Sequence, residues 1–165
     1  MEERVTHTFA PVYDENSKVL ILGTFPSIKS REMEFYYGHP QNRFWKVISA
    51  LTEEETPERE EVRKKKEMLL KHGIAIWDVI ASCKIQGSSD SSIRDVVPNE
   101  IAALLNRTGI EKVFANGAKA EQLYKKYVYP ETNRPIVKLP STSPANAAWS
   151  LERLCESWKA ILNFD

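Results

Sequence analysis

Four short runs of apolar residues, each followed by residues at helical spacing, constrain this chain more than any other feature. They are Val19-Leu20-Ile21-Leu22, which ends at Gly23, then Ile74-Ala75-Ile76-Trp77, Lys112-Val113-Phe114-Ala115 and Ile136-Val137-Lys138-Leu139. Runs this short and this apolar read as strands buried on both faces. Between them Phe44, Val47, Ile48 and Leu51 recur at i, i+3, i+4 and i+7, one face of a helix. Ile101, Leu104 and Leu105 mark a second helix with Asn99 as its expected cap, and residues 117–126 a third. Leu151, Leu154, Trp158, Ile161 and Leu162 mark a last helix laid against the core. Strands separated by helices are joined by crossovers, which gives a parallel sheet covered on both sides. The expectation is an α/β fold, a three-layer α/β/α sandwich with a central four-stranded parallel sheet, as a single domain over residues 1–165.

Composition narrows the partners. Lys plus Arg and Asp plus Glu each number 23, so no global basic field advertises nucleic acid, and such a partner must be met by a local patch. Lys29, Arg31, Arg43 and Lys46 supply one candidate patch, partly offset by Glu32 and Glu34; Lys84, Arg94, Arg134 and Lys138 fall near other strand ends. Cys83 and Cys155 have no second thiol at CxxC spacing, so neither a metal cluster nor a disulfide framework is expected, and no cofactor is implied. The first residues lack a signal-peptide pattern, and no apolar run approaches the roughly 20 residues of a membrane helix. The expectation is a cytoplasmic protein without membrane contact. Residues 53–71 mix seven acidic with six basic side chains, which suggests an exposed, ion-paired helix capped at Thr56-Pro57 and stopped by Gly73.

Parallel sheets bind ligands beyond the carboxyl ends of their strands. That directs attention to residues 23–43, 78–98, 115–117 and 140–148. The first of these loops is long and aromatic, and contains neither G-x-G-x-x-G nor G-x-x-x-x-G-K-[ST]. It sets Phe25, Phe35, Tyr36 and Tyr37 beside His39 and Asn42, flat surfaces for stacking next to groups that hydrogen-bond a base edge. The same aromatics can equally plug the top of the sheet. In the last loop Ser143-Pro144 has the form of a helix start, whose free N–H groups beside Ser141, Thr142 and Ser143 would seat a phosphate; a plain capped turn is the alternative.

These residues carry a resemblance. Gly23-Thr-Phe-Pro-Ser27, with His39-Pro-Gln-Asn-Arg-Phe-Trp-Lys-Val-Ile48 downstream, resembles motif one of the uracil-DNA glycosylase superfamily. Trp77-Asp-Val-Ile-Ala-Ser-Cys83, leading to Gly87-Ser-Ser-Asp-Ser-Ser-Ile93, and Leu139-Pro-Ser-Thr-Ser-Pro-Ala-Asn146 as motif two make the pattern similar to its hypoxanthine-DNA glycosylase branch. The resemblance runs from about Val19 to Trp158 and implies the same four-stranded parallel fold. Many members carry Asn or Asp two residues after the first glycine, to position water; here Phe25 stands there. The branch instead implies Asn42 as the catalytic residue. It further implies base contacts from Gly23, Thr24, Phe25, Tyr37 (stacking), His39 and Asp78, where uracil-specific relatives carry Asn in place of Asp78. DNA contacts fall to Ser27, Ser141, Thr142, Ser143, Pro144, Ala145 and Asn146.

The implied partner is DNA containing a deaminated base, and the implied reaction is hydrolysis of the N-glycosidic bond in base excision repair, by a monomer. No lysine is placed as a Schiff-base nucleophile, so strand cleavage is not expected. Excision of uracil, including mismatched uracil, is the first alternative. A non-catalytic module that binds nucleotides or damaged DNA is the second.

Overall fold

The computed structural model describes residues 3–162. A short strand β1 (Glu3–Thr6) precedes β2 (Val19–Gly23); α1 (Ile28–Met33), α2 (Phe44–Thr52) and α3 (Val62–Lys71) then lead to β3 (Ile74–Asp78). Next come β4 (Ile80–Ile85), a 3-10 turn at Asp90–Ser92, β5 (Arg94–Pro98) and α4 (Ile101–Asn106). The remaining described elements are β6 (Lys112–Asn116), α5 (Ala118–Tyr127), α6 (Tyr129–Thr132), β7 (Ile136–Leu139), α7 (Leu151–Trp158) and a 3-10 turn at Lys159–Leu162.

The four expected strands form one parallel sheet in the order β3-β2-β6-β7. Every residue of β2 is buried, and the alternation of a strand divides them between two cores. Val19 and Ile21 face Phe44, Val47 and Ile48 of α2, Met68 and Leu69 of α3, and Leu154 and Trp158 of α7. Leu20 and Leu22 face Ile101, Leu104 and Leu105 of α4 with Leu123 and Tyr124 of α5. This is the three-layer α/β/α arrangement. Among the described residues no helix is long and apolar enough to cross a membrane.

A second sheet, antiparallel in the order β1-β4-β5, has no counterpart in the sequence reading. β1 and β5 are largely exposed and carry polar residues, so they show no apolar run. Their pairing joins residues far apart in sequence, Glu3 with Ile85 and Thr6 with Ser82. The sheet folds residues 78–98 back over the domain and brings the N-terminal segment beside the end of β3.

Three expected helix boundaries are corrected. The charged helix starts at Val62 rather than Thr56, because the Thr56 hydroxyl pairs with Ser49 Oγ at 2.6 Å and the Glu61 carboxylate accepts from Glu58 N–H at 2.8 Å. Nor is it only a solvated face. Lys65 is 1% exposed, donates to the Arg59 carbonyl at 2.7 Å and lies 5.2 Å from the Trp45 ring, while Arg59 Nε donates to the Gly38 carbonyl at 2.7 Å. The helix thereby braces the loop that follows β2. Asn99 does not cap α4; its amide donates to the carbonyls of Asp78 (2.8 Å) and Ile80 (3.2 Å), gripping the chain where Asp78 is presented. No helix starts at Ser143. The Arg43 guanidinium donates to the carbonyls of Ser143 at 3.2 Å and Asn146 at 3.0 Å, and to that of Trp149, which blocks the ladder a helix would need; α7 begins at Leu151 under a Ser150 cap.

Burial, reinforced by the nearby Arg59 charge, lowers the Lys65 ammonium to about 8. The unfolded chain keeps this proton to roughly pH 10.4, so stability rises with pH from about 8 upward as the folded form releases it first. Urea midpoints at pH 7.5 and 9.5 should therefore rise more in the wild type than in Lys65→Met.

Candidate active site

A cavity of about 560 Å³ opens at the carboxyl ends of β2, β3 and β6, beneath the loop that follows β7. The chain leaves β2 for β3 on one side and returns to β6 on the other, so the cavity lies at the point where strand order reverses. Of the residues singled out from sequence, Gly23, Thr24, Phe25, Ser27, Tyr37, His39, Asn42, Asp78 and Ser141 to Ala145 line it. Asn146 does not; its amide donates to the Ser141 carbonyl at 3.0 Å and shapes its own loop. Asn116 and the Ser88–Ser91 turn with Asp90 also line the cavity; they fall in segments the sequence pointed to, but no role was expected of them individually. Asn116 ends the third apolar run as Asp78 ends the second, and it stands in the 115–117 segment to which the strand ends direct attention.

Asn42 sits at the turn into α2, where its Oδ1 accepts from Phe44 N–H at 2.9 Å and from the Thr142 hydroxyl at 2.8 Å. A backbone N–H can only donate, so the atom facing it is the amide oxygen. Both lone pairs of Oδ1 are thereby committed, and the group Asn42 has left for the cavity is its Nδ2 amine. Thr142 in turn accepts from Asn116 Nδ2 at 3.0 Å and donates its own N–H to Asn116 Oδ1 at 3.0 Å. Thr142 is fully buried, so the expected DNA contact at this residue is corrected to an internal lock. Two members of the candidate basic patch hold backbone as well: Arg43 is engaged with the carbonyls of the last loop, and Arg31 with those of Pro26 (3.2 Å) and Gly87 (2.6 Å). Arg134, likewise, donates to the Ile110 carbonyl at 2.9 Å, before β6 begins and away from the cavity mouth.

Tyr37 has φ +52°, an uncommon conformation for a bulky side chain and one that concentrates at functional sites. Its ring stacks on Phe44 with centroids 3.9 Å apart and planes 15° apart, so only the opposite face remains for a ligand. The hydroxyl is buried and, among the described residues, is the one buried side-chain polar atom without a hydrogen-bond partner. Burial, with the Asp78 charge adding to it, drives the phenol pKa far up, and Tyr37 stays neutral.

Gly23 makes this convergence possible. A Cβ there would fall 2.4 Å from Asp78 Oδ1, too close for that carboxylate to keep its place, and 3.0 Å from the Tyr37 hydroxyl. His39 keeps its Nδ1 occupied by Gln41 N–H at 3.1 Å, and Ser27 caps α1 by accepting from Ser30 N–H at 3.2 Å. Ser143 accepts from Ala145 N–H at 3.1 Å in a tight turn.

Comparison with known proteins now bears on this geometry. The family model for the uracil DNA glycosylase superfamily matches residues 10–164. The chain belongs to that superfamily. A protein of Methanosarcina acetivorans named hypoxanthine DNA glycosylase is 36% identical over 158 residues, covering 93% of this chain and 95% of the relative. One of the same name from Methanosarcina barkeri is 34% identical over 113 residues, 68% of this chain and 71% of the relative. A solution NMR structure of a candidate uracil DNA glycosylase from M. acetivorans superposes with a TM-score of 0.77 at 32% identity, covering 94% of this chain and 96% of that one. The fold read from the apolar runs is thus the superfamily fold.

Replacing Thr142 by Val keeps its shape but removes the hydroxyl that joins Asn42 to Asn116. Each amide loses one of its bonds, since Asn42 Oδ1 keeps the Phe44 N–H and Asn116 Oδ1 keeps the backbone N–H of residue 142, which should cost about 1–3 kcal/mol of stability. Thr142→Ser should restore most of it, read as the denaturant midpoint of each variant.

Proposed function

We propose that this protein is a monofunctional DNA glycosylase that hydrolyses the N-glycosidic bond of a flipped, deaminated base, foremost hypoxanthine in deoxyinosine. The observation that carries the reading is one cavity roomy enough to admit a flipped base, floored by Asp78 and Gly23 at the strand ends and walled by two loops locked through Asn42 and Thr142. The two Methanosarcina relatives named hypoxanthine DNA glycosylase support the choice of base. The carboxylate of Asp78, where uracil-specific relatives carry an amide, argues against uracil as the first substrate.

Flipping comes first, because the bond is out of reach inside the stack; its cost of a few kcal/mol is lowest for a mispaired base. The free face of Tyr37 recovers part of that by stacking, on the order of 1–3 kcal/mol. The C1′–N9 bond then breaks with its electron pair going to the purine, and the sugar gains oxocarbenium character. A water oxygen adds to C1′, and its proton ends on the departing base. Asn42 holds that water by donating from Nδ2 to the water oxygen. An amide so placed orients the nucleophile without removing its proton, so its contribution is geometric. His39 and the backbone N–H groups of the loops are the candidates to meet N7 or O6 of the leaving purine. No lysine stands among the described residues lining the cavity, which supports hydrolysis without a covalent intermediate. Ser27, Ser143, Pro144 and Ala145 would meet the DNA strand at the rim.

The test is a panel of duplexes carrying single hypoxanthine, uracil or xanthine lesions, with abasic product revealed by alkali. Hypoxanthine should be released fastest, and a uracil rate equal to it would overturn the base assignment. Asn42→Ala should lower hypoxanthine release by at least about a hundredfold while lesion binding is kept. Binding should also weaken steeply with salt, since phosphates supply most of the affinity.

A further inference from the structure

Asp78 is held by a residue that none of the strand-end loops contains. His7 Nε2 donates to Asp78 Oδ2 at 2.8 Å, and the two side chains are only 3% and 5% exposed. His7 follows β1, and its own N–H extends the pairing with β4 by donating to the Ala81 carbonyl at 2.7 Å. Its ring is fixed against Phe9 (centroids 4.4 Å apart), Tyr36 (5.7 Å) and the edge of Phe25 (6.2 Å). It stands behind Asp78, outside the residues that line the cavity, and before residue 10, where the superfamily match begins. The result is a defined orientation of the carboxylate. Oδ2 is turned back to the imidazole, and Oδ1 lies against Gly23 on the cavity side.

We propose that His7 is a specificity-determining positioning residue, which tethers one oxygen of Asp78 so that the flipped base meets a single acceptor. The inference rests on the glycosylase reading and names what that site selects. Hypoxanthine offers one ring N–H, at N1, beside a C–H that needs no acceptor. Guanine offers N1–H and its exocyclic amine side by side, a fork that a freely turning carboxylate accepts with both oxygens, as it accepts a guanidinium. With Oδ2 tethered, only N1–H is met and the guanine amine is left unpaired in a closed site, which discriminates strongly. Adenine, whose N1 carries a lone pair, meets the carboxylate oxygen with repulsion. His7 therefore separates the lesion from the undamaged purine it resembles most.

Dissociation constants for 9-methylhypoxanthine, 9-methylguanine and 9-methyladenine, measured directly on the purified full chain, test this. The wild type should prefer hypoxanthine over guanine by at least about tenfold. In His7→Leu, which fills the space without a donor, that ratio should fall by about tenfold, and in His7→Gln, whose amide can still donate to Oδ2, most of it should be kept. A ratio unmoved in His7→Leu, or no wild-type preference, overturns the proposal. If His7→Leu does not fold, Asp78→Asn decides: His7 would hold the amide oxygen and leave the amine facing the cavity, so adenine should overtake hypoxanthine, and failure to do so is equally fatal. Excision of deoxyinosine by the wild type is measured alongside. Its absence defeats the glycosylase reading, whereas normal excision with an unmoved ratio defeats only the role of His7.

Discussion

The cavity exists because two loops one hundred residues apart are bonded to each other before any ligand arrives. Asn42 Oδ1, the Thr142 hydroxyl and the Asn116 amide form one chain of hydrogen bonds across the carboxyl edge of the sheet. Arg43 closes the same seam from outside by donating to the carbonyls of the last loop. These bonds are partly buried and centre on the fully buried Thr142, so losing that hydroxyl removes one partner from each of two amides at once. A base entering the site therefore finds walls already in place, which lowers the entropy lost on binding.

That seam also fixes what Asn42 can do. With both lone pairs of its oxygen occupied, the side chain presents donors to the cavity rather than an acceptor. A residue in that state can offer a donor to a ligand or a water molecule and cannot take a proton from it. Such a role suits a reaction whose barrier falls mainly through charge developing on the sugar between its own phosphates. The neutral charge balance of the chain is consistent with the same economy. Several arginines that looked available for DNA donate to backbone carbonyls and so also shape the loops.

Support for the first loop comes from an unexpected quarter. The charged helix α3 buries Lys65 against Trp45, and the segment before it sends Arg59 to the Gly38 carbonyl, next to Tyr37 in its left-handed conformation. Strain at Tyr37 persists because the neighbours on both sides of it are pinned. A run of mixed charge reads as solvated face whenever its partners lie elsewhere in the sequence, and these partners do.

The order of apolar runs determined the parallel sheet, its helices and the edge at which ligands gather, because the periods of strand and helix are local properties of the chain. Gly23 and Asp78 were legible as the ends of apolar runs, whereas Tyr37 and Asn42 lie in the long aromatic loop after β2 and their roles came from the family resemblance. Tertiary structure alone decided the rest. Which atom of Asn42 faces the cavity, why Ser143 starts no helix, why Thr142 is a lock, and that His7 reaches Asp78 all follow from pairings between distant segments. The antiparallel sheet that delivers His7 has largely exposed edge strands, β1 and β5, and β1 pairs with residues about eighty positions away, and hydrogen bonds of that kind leave no pattern in a single sequence.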